Sequence, residues 1–555
     1  MKKAPILYFN PEGYSISGPK LMGRNAAGHS FLRGFARYSL VDQMRAFVED
    51  ASFGPLFSEM IHSFGSHKPV EVLQLLDSDR FNDSVLYFPG PTLVEPAWQR
   101  IPFGSDRYSL CGITHTTAST LVMDSVSSWL EAPLQNWDAI ICTSQAVKAT
   151  LDCILEEKKS YLNHRFKADL EFTLPQLPVI PLGICAEDFL YSNEQKIFAR
   201  HQLKIDSDAI VILFTGRLSF HAKAHPLAMY QAIDQLSAKF KLVLIECGWY
   251  ANEHIEKAYQ DAFLQICPKA KRITLDGRIS DQRSLAWAGA DIFCSLSDNI
   301  QETFGLTPLE AMAAGLPVIV SDWNGYKETV RDGVDGFRIP TYLPSPGLGK
   351  IFARQHELGF IDYDRYCGVT SQLVAVNIRS TVEALERLVK DPALRTQMGQ
   401  SGREHVMNNF DWKCIIPQYE ELWQELDSRR QHAQASPKLH STYAPSRSSR
   451  MDPFELFLAY PTQTINESSY LMLSYGSSMT IEEMLGRLHQ LSQLQMVAFA
   501  KEVHLSLENS KVIFEFLASG PKTVSEICAL TNQAHHEQLT RSLLWLMKMG
   551  FLTLT

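Results

Sequence analysis

The 555-residue sequence lacks any window of about 18 apolar residues, so no membrane-spanning helix is expected. It lacks a basic excess. Its 52 Lys+Arg against 61 Asp+Glu give a formal charge of −9, where a general nucleic-acid binder carries a net positive surface. Its ten cysteines include no C-x-x-C pair. Several sit inside apolar runs, as Cys142 does in AIICTS, Cys247 in LVLIECG and Cys294 in DIFCSLS. Buried, reduced thiols and a cytoplasmic setting are therefore expected. No internal repeat is present. The opening MKKAPILYFNPEGY breaks at Pro11-Glu12-Gly13, too early for a signal peptide.

What remains is ordinary globular material, 45% apolar and 20% charged. The chain is too long for one core, and its length suggests about two to four domains. Short apolar runs alternate with longer amphipathic stretches. Strands are expected at Ala4–Phe9, Ser84–Phe88, Ser109–Thr114, Asp138–Ser144 and Pro178–Leu182. The pattern restarts at Ala209–Phe214, Lys241–Cys247, Arg272–Leu275, Asp291–Leu296 and Pro317–Ser321. Two such series predict an α/β fold of two doubly wound, Rossmann-like domains, meeting near residues 184–205 and facing across a cleft. Residues 428–452 are rich in Ser, Pro and Arg and read as a flexible basic linker. Beyond them, 453–555 reads as helical, with LGRLHQLSQLQMVAFAKEVHL as one long amphipathic candidate.

The stretch QETFGLTPLE, residues 301–310, places two carboxylates seven residues apart around a Phe-Gly turn. Thr307-Pro308 can open a helix and Gly315 can end it. The backbone N–H groups of Phe304, Gly305 and Leu306 then lie at its positive end, ready for an anion. Glu302 and Glu310 can both reach one ligand and accept hydrogen bonds from hydroxyl groups. A second motif is FTGRLSFHAK, residues 214–223. A strand delivers Gly216, and Arg217 and Lys223 follow as fixed cations suited to a diphosphate.

The run ETFGLTPLEAMAAGLPVIVSD resembles the donor-site signature of family 4 retaining glycosyltransferases, of the GT-B fold. The resemblance covers roughly residues 4–427 and is strongest in 209–340. It implies transfer of a sugar from a nucleotide-sugar substrate, with no cofactor. UDP-sugars come first, and GDP- and ADP-sugars are alternatives. It assigns Glu302 to the donor sugar, Glu310 to the ribose and the Phe304–Leu306 amides to sugar and phosphate. Arg217 and Lys223 would hold the diphosphate. The family's G-R-L…K-G pattern has its lysine one residue earlier, and Ala224 replaces the glycine here. Gly277, Arg278 and Ile279 in LDGRIS resemble the loop that holds the nucleotide base through backbone groups. Gly23 and Arg24, in the stretch GPKLMGRNAAG that begins at Gly18, match a loop between donor phosphate and acceptor, without the commoner paired glycines. His115, after the strand in SLCGITHTTAST, matches a histidine beside the reacting centre. Thr143-Ser144 is a further cleft-edge candidate. No D-x-D triplet follows a donor-site strand at its carboxyl end, so no metal is expected.

The resulting domains are 1–190 on the acceptor side, 191–410 on the donor side, a crossover helix at 411–427, the linker, and 453–555. In the last, a helix ends at Ser519-Gly520 and Thr523-Val-Ser-Glu526 opens another. A third helix carries Leu539, Leu543, Leu544 and Met547, and FLTLT closes as a strand. This looks like a winged-helix module. Residues 451–555 hold six basic and ten acidic residues, which disfavours duplex DNA. The expected partner is a protein or peptide, either the unknown acceptor or another copy of the chain in a homo-oligomer. The competing readings are a nucleotide-sugar epimerase or hydrolase, and a non-catalytic sensor acting through the C-terminal module.

Overall fold

In the computed structural model, the described residues are 4–15, 23–74, 80–82, 84–435, 447–476, 478–530 and 536–555. Gly18 to Met22 of the glycine-bearing stretch, and 436–446 of the expected linker, lie outside them. The chain divides into two units, Met1–Ser446 and Arg447–Thr555.

In the first unit the short apolar runs pair as two six-stranded parallel sheets. The first contains β1 (Ile6–Tyr8), β2 (Met44–Phe47), β3 (Val70–Leu73), β4 (Val85–Tyr87), β5 (Ser109–Ile113) and β6 (Ala139–Ile141), in the order 3-2-1-4-5-6. The second contains β7 (Ile210–Thr215), β8 (Leu242–Gly248), β9 (Lys271–Asp276), β10 (Ile292–Ser295), β11 (Val318–Ser321) and β12 (Gly336–Ile339). Its order, β12-β11-β10-β7-β8-β9, repeats the first counted from its own first strand. Helices cover both faces, so a central strand such as β8 is buried at every residue. Each sheet changes winding direction once, between β1 and β4 and between β7 and β10. Crevices open at the carboxyl ends of such pairs.

Three strands carry no clear apolar run. β2 and β3 hold Arg45 and Glu71, which pair with each other and so bring charge into the sheet. β12 is an edge strand interrupted by Arg338. The expected strand at Pro178–Leu182 is not one. Only single bridges, Ala139 to Gln176 and Cys142 to Val179, continue the sheet there. Pro175, Pro178 and Pro181 lack the N–H donors that a ladder requires.

The backbone leaves the first domain and returns to it at neighbouring points. Ile184 N–H donates to Phe410 O at 2.9 Å, and Trp412 N–H donates to Ile184 O at 3.1 Å. Trp412 is fully buried, and its indole N–H donates to Ser30 Oγ at 2.7 Å. A Cβ added at Gly34 would fall 2.4 Å from this ring, and one at Gly183 2.5 Å. Only glycine leaves room for the indole on both sides. The helix that follows, Trp412–Ala435, runs eight residues past Asp427, where the composition places the start of the linker. Arg430 explains the difference, because it is buried and donates to Ser84 O at 3.0 Å. A two-residue antiparallel ribbon, β13 (Thr341–Tyr342) with β14 (Ala375–Val376), brackets an excursion carrying helices Lys350–Glu357 and Tyr363–Ser371. Among the described residues, no helix is long and apolar enough to cross a membrane.

The second unit has a three-stranded antiparallel sheet. β15 (Tyr470–Leu473) lies between β16 (Lys522–Thr523) and β17 (Leu552–Leu554). Helices Ile481–Ser492, Leu507–Leu517, Val524–Cys528 and His536–Lys548 accompany it. Thr523 and Glu526 form a reciprocal cap. The long helix expected over LGRLHQLSQLQMVAFAKEVHL stops at Ser492. Leu494, Met496 and Phe499 are exposed, so no packing extends it. In His536–Lys548, Leu539, Leu543 and Leu546 face the core, whereas Leu544 is exposed.

Candidate active site

The floor of the crevice in the second sheet is bare backbone at the ends of β7, β8 and β9. A Cβ on Gly248 would lie 1.9 Å from Gly216 O, and one on Gly277 3.2 Å from Gly248 Cα. Arg278 and Ile279 follow Gly277 at the rim. Arg278 is exposed, pairs with Asp276 at 2.7 Å and lies over the Trp249 ring.

Arg217 and Lys223 share the loop after β7. Arg217 Nη2 donates to Gln301 Oε1 at 2.6 Å and to Ala222 O at 2.9 Å. Lys223 Nζ forms an ion pair with Glu302 Oε2. Burial pushes the Lys223 pKa down, but the Glu302 carboxylate more than offsets this and leaves it above the ordinary lysine value. The loop's extra residue is absorbed in a turn, with Lys223 N–H donating to Ser219 O at 3.0 Å.

Glu302 lies after β10, the strand beside β7 where the sheet changes direction. Gly305 has φ +86°, and a Cβ there would fall 1.9 Å from the Tyr326 ring. It precedes helix Leu306–Ala313. The N–H groups of Phe304, Gly305 and Leu306 make no hydrogen bond among the described residues. Only the backbone of Phe304 is available to a ligand, because its ring is buried. Glu310 is half-buried. Burial raises its pKa to about 7, against the pull of Arg283 and Lys223. The charge of Lys223 thus reaches both glutamates.

The opposite wall comes from the ends of β4, β5 and β6. His115 Nε2 lies 3.1 Å from Pro89 O. Burial lowers the His115 pKa to about 4, opposed by that hydrogen bond and assisted by the charge of Arg24. The ring is therefore neutral near pH 7. A carbonyl only accepts, so Nε2 carries the proton and Nδ1 is an acceptor. Arg24 itself pairs with Glu12 at 3.1 Å. Gly23 begins helix Gly23–Tyr38, and a Cβ there would meet nothing within 4 Å among the described residues, so packing does not require this glycine. Ser144 does reach the loop after β10, donating to Thr303 O at 2.8 Å. Gln145 N–H donates to Glu328 Oε1 at 2.7 Å.

Three residues of this cleft escape sequence reasoning: Thr116, Gln301 and Tyr363. Gln301 Nε2 is 2.6 Å from Tyr363 Oη, which is 3.2 Å from Thr116 Oγ1. The adjacency of Gln301 to Glu302 is the one local signal. Tyr363 belongs to the excursion, which no motif marks.

The two-domain arrangement matches a solved fold. Anabaena Alr3699/HepE, determined in complex with UDP, aligns with a TM-score of 0.50 at 18% identity over 76% of this chain and 100% of that one. In sequence, the lipopolysaccharide 1,2-N-acetylglucosaminetransferase of Salmonella typhimurium is 33% identical over 193 residues, 33% of this chain and 48% of that protein. A D-inositol 3-phosphate glycosyltransferase of Xylanimonas cellulosilytica is 25% identical over 212 residues, 37% of this chain and 48% of that protein. The chain thus spans about half the length of these curated relatives. Residues 195–346, which carry Gly216, Arg217, Lys223, the Gly277–Ile279 turn, Glu302 and Glu310, match the family Glycosyl transferases group 1.

Proposed function

We propose that the chain is a cytoplasmic retaining glycosyltransferase that moves a sugar from a nucleotide-sugar to an acceptor. The observation that carries this reading is the convergence of Arg217 and the Lys223–Glu302 pair beside three unpaired amides at a helix start. Two cations and three N–H groups suit a diphosphate and stabilise the charge that develops as it departs. Glu302 accepts from sugar hydroxyls, and Glu310 from the ribose. The Gly277–Ile279 turn meets the base. Neutral His115 offers Nδ1 to a sugar hydroxyl near the reacting carbon, and Gly23 and Arg24 border the acceptor side. The cations supply the charge without a metal, so EDTA should leave turnover unchanged.

UDP accompanies the Anabaena protein, so UDP-sugars are the first donors to test, followed by GDP- and ADP-sugars. The protein is incubated with each, and diphosphate release and melting temperature are followed together. A ligand at about 100 times its dissociation constant stabilises by roughly 2.7 kcal/mol. One nucleotide producing both a shift and slow release supports the reading. Acceptor-independent release at full rate favours a hydrolase, and no shift with any donor refutes the site.

The Glu310 carboxyl, raised to about 7, predicts a pH dependence. Ribose hydroxyls donate to its ionised form, so binding is linked to proton loss. UDP affinity should therefore rise as pH increases through about 7 and level off above. UDP titrates in its own right, so the comparison is with Glu310→Gln, measured by calorimetry from pH 6 to 8.5. Identical profiles would remove Glu310 from the ribose site.

In the second unit, helix Leu507–Leu517, strand β16, helices Val524–Cys528 and His536–Lys548 and strand β17 follow one another in a winged-helix-like order. Its acidic balance favours a protein partner over DNA. Deletion of 453–555 should change either the oligomeric state by light scattering or transfer to the native acceptor. A truncated chain unchanged in both would make the module passive.

A further inference from the structure

The chain of contacts from Arg217 to Thr116 has a forced direction. Arg217 only donates, so Gln301 Oε1 must be the acceptor at 2.6 Å. The Gln301 amide then turns its N–H toward Tyr363 Oη at 2.6 Å. Tyr363 accepts there and is left to donate to Thr116 Oγ1 at 3.2 Å. Burial keeps the Tyr363 hydroxyl protonated. The result is a polarised relay from the donor-side cation to the residue after His115. Thr116 itself bonds neither Arg217 nor Gln301.

Tyr363 is held in place for this. Its helix, Tyr363–Ser371, is capped by Asp362, which accepts from Arg365 N–H at 2.8 Å. One turn on, a Cβ at Gly368 would lie 3.1 Å from His221 Cβ, so the helix packs directly on the Arg217–Lys223 loop. Cys367, between them, is buried. A second contact of the same excursion, His356 Nε2 to Thr120 Oγ1 at 3.4 Å, touches the same stretch of the opposing wall.

We infer that Tyr363 is a positioning residue: through Gln301 it orients Arg217 for the diphosphate, and through Thr116 it ties that orientation to the position of the acceptor-side wall. The excursion bracketed by β13 and β14 is the element that makes this coupling. The inference rests on the donor-site reading above. It gives Thr116, on the opposite domain, an influence on nucleotide binding that it exerts only through Tyr363.

The test is calorimetric titration of the full chain with UDP, and with GDP and ADP should UDP not bind. The variants are Tyr363→Phe, Thr116→Ala, Thr116→Ser, the double Tyr363→Phe/Thr116→Ala, and Arg217→Ala as control. Tyr363→Phe and Thr116→Ala should each weaken binding about tenfold, or about 1.4 kcal/mol. Groups acting through one bond are not additive, so the double variant should also lose about tenfold. Thr116→Ser, which keeps the hydroxyl, should recover at least half the loss. The relay is overturned if Tyr363→Phe binds as the parent does while Arg217→Ala does not, an outcome that leaves the donor site standing. It is equally overturned if the double variant loses about a hundredfold, since the two groups would then act independently. Failure of the parent to bind any of the three nucleotides, or undiminished binding by Arg217→Ala, defeats the donor-site reading and the relay with it.

Discussion

Arg217→Ala and Glu302→Gln should each slow donor turnover by about 10²–10³-fold, the usual cost of removing one preorganised group that meets developing charge. Neither change should unfold the protein. Arg217 is only partly buried, and its two contacts are to Ala222 O and Gln301. On the proposed reading its loss removes a fixed cation from the leaving diphosphate, where a flexible lysine would not reproduce the guanidinium fork. Glu302→Gln keeps size and shape but removes the charge that holds Lys223 above its ordinary pKa. Lys223 then lacks its ion-pair partner in a desolvated place, and on the proposed reading the donor sugar loses a charged acceptor. The variants are compared by diphosphate release at saturating donor, with melting temperature as the control for folding. Near-parental turnover in both, with unchanged melting temperature, would refute the site.

Trp412→Ala should destabilise the first unit by about 3–5 kcal/mol, as large-to-small changes at buried aromatic positions do. The ring is fully buried between Gly34 and Gly183, with the Phe31 and Tyr419 rings beside it, and surroundings so packed relax only partly into a cavity. Its N–H partner, Ser30, would also lose a hydrogen bond. Denaturant unfolding of the full chain measures the effect, and a loss under about 1 kcal/mol would show that the site relaxes. The mirror change, Gly34→Ala, tests the same contact from the other side, since its new methyl would overlap the indole at 2.4 Å.

Much of the candidate site in the second domain was legible because its signals are local. ETFGLTPLE carries its acids, its turn glycine and its helix start within ten residues, and the structure places Glu302 on Lys223 and Gly305 at positive φ. Strands with unbroken apolar runs, such as Ile210–Phe214 of β7, were equally plain. What was not legible depends on tertiary partners. β2 and β3 were hidden by Arg45 and Glu71, charges that are compatible with a sheet only because they meet. Arg430 has linker-like neighbours in the chain, and its acceptor, Ser84, lies 346 positions away. The relay joins Thr116 to Tyr363 across 247 positions, a separation at which a threonine and a tyrosine carry no pattern. In the second unit, apolar periodicity overstated a helix because periodicity does not say whether a core is present to receive it.

The pairing of Ile184 with Asp411 has a kinematic consequence. The two backbone passages between the domains are laced to each other, so they act as one pivot instead of two separate tethers. Sliding of one domain past the other would have to tear this pairing, whereas rotation about it would not. Change in the cleft is then rotation about this point, and its opening angle is the component to follow. One pair of spectroscopic labels, placed on opposite rims far from the pivot, would follow it through a whole turnover.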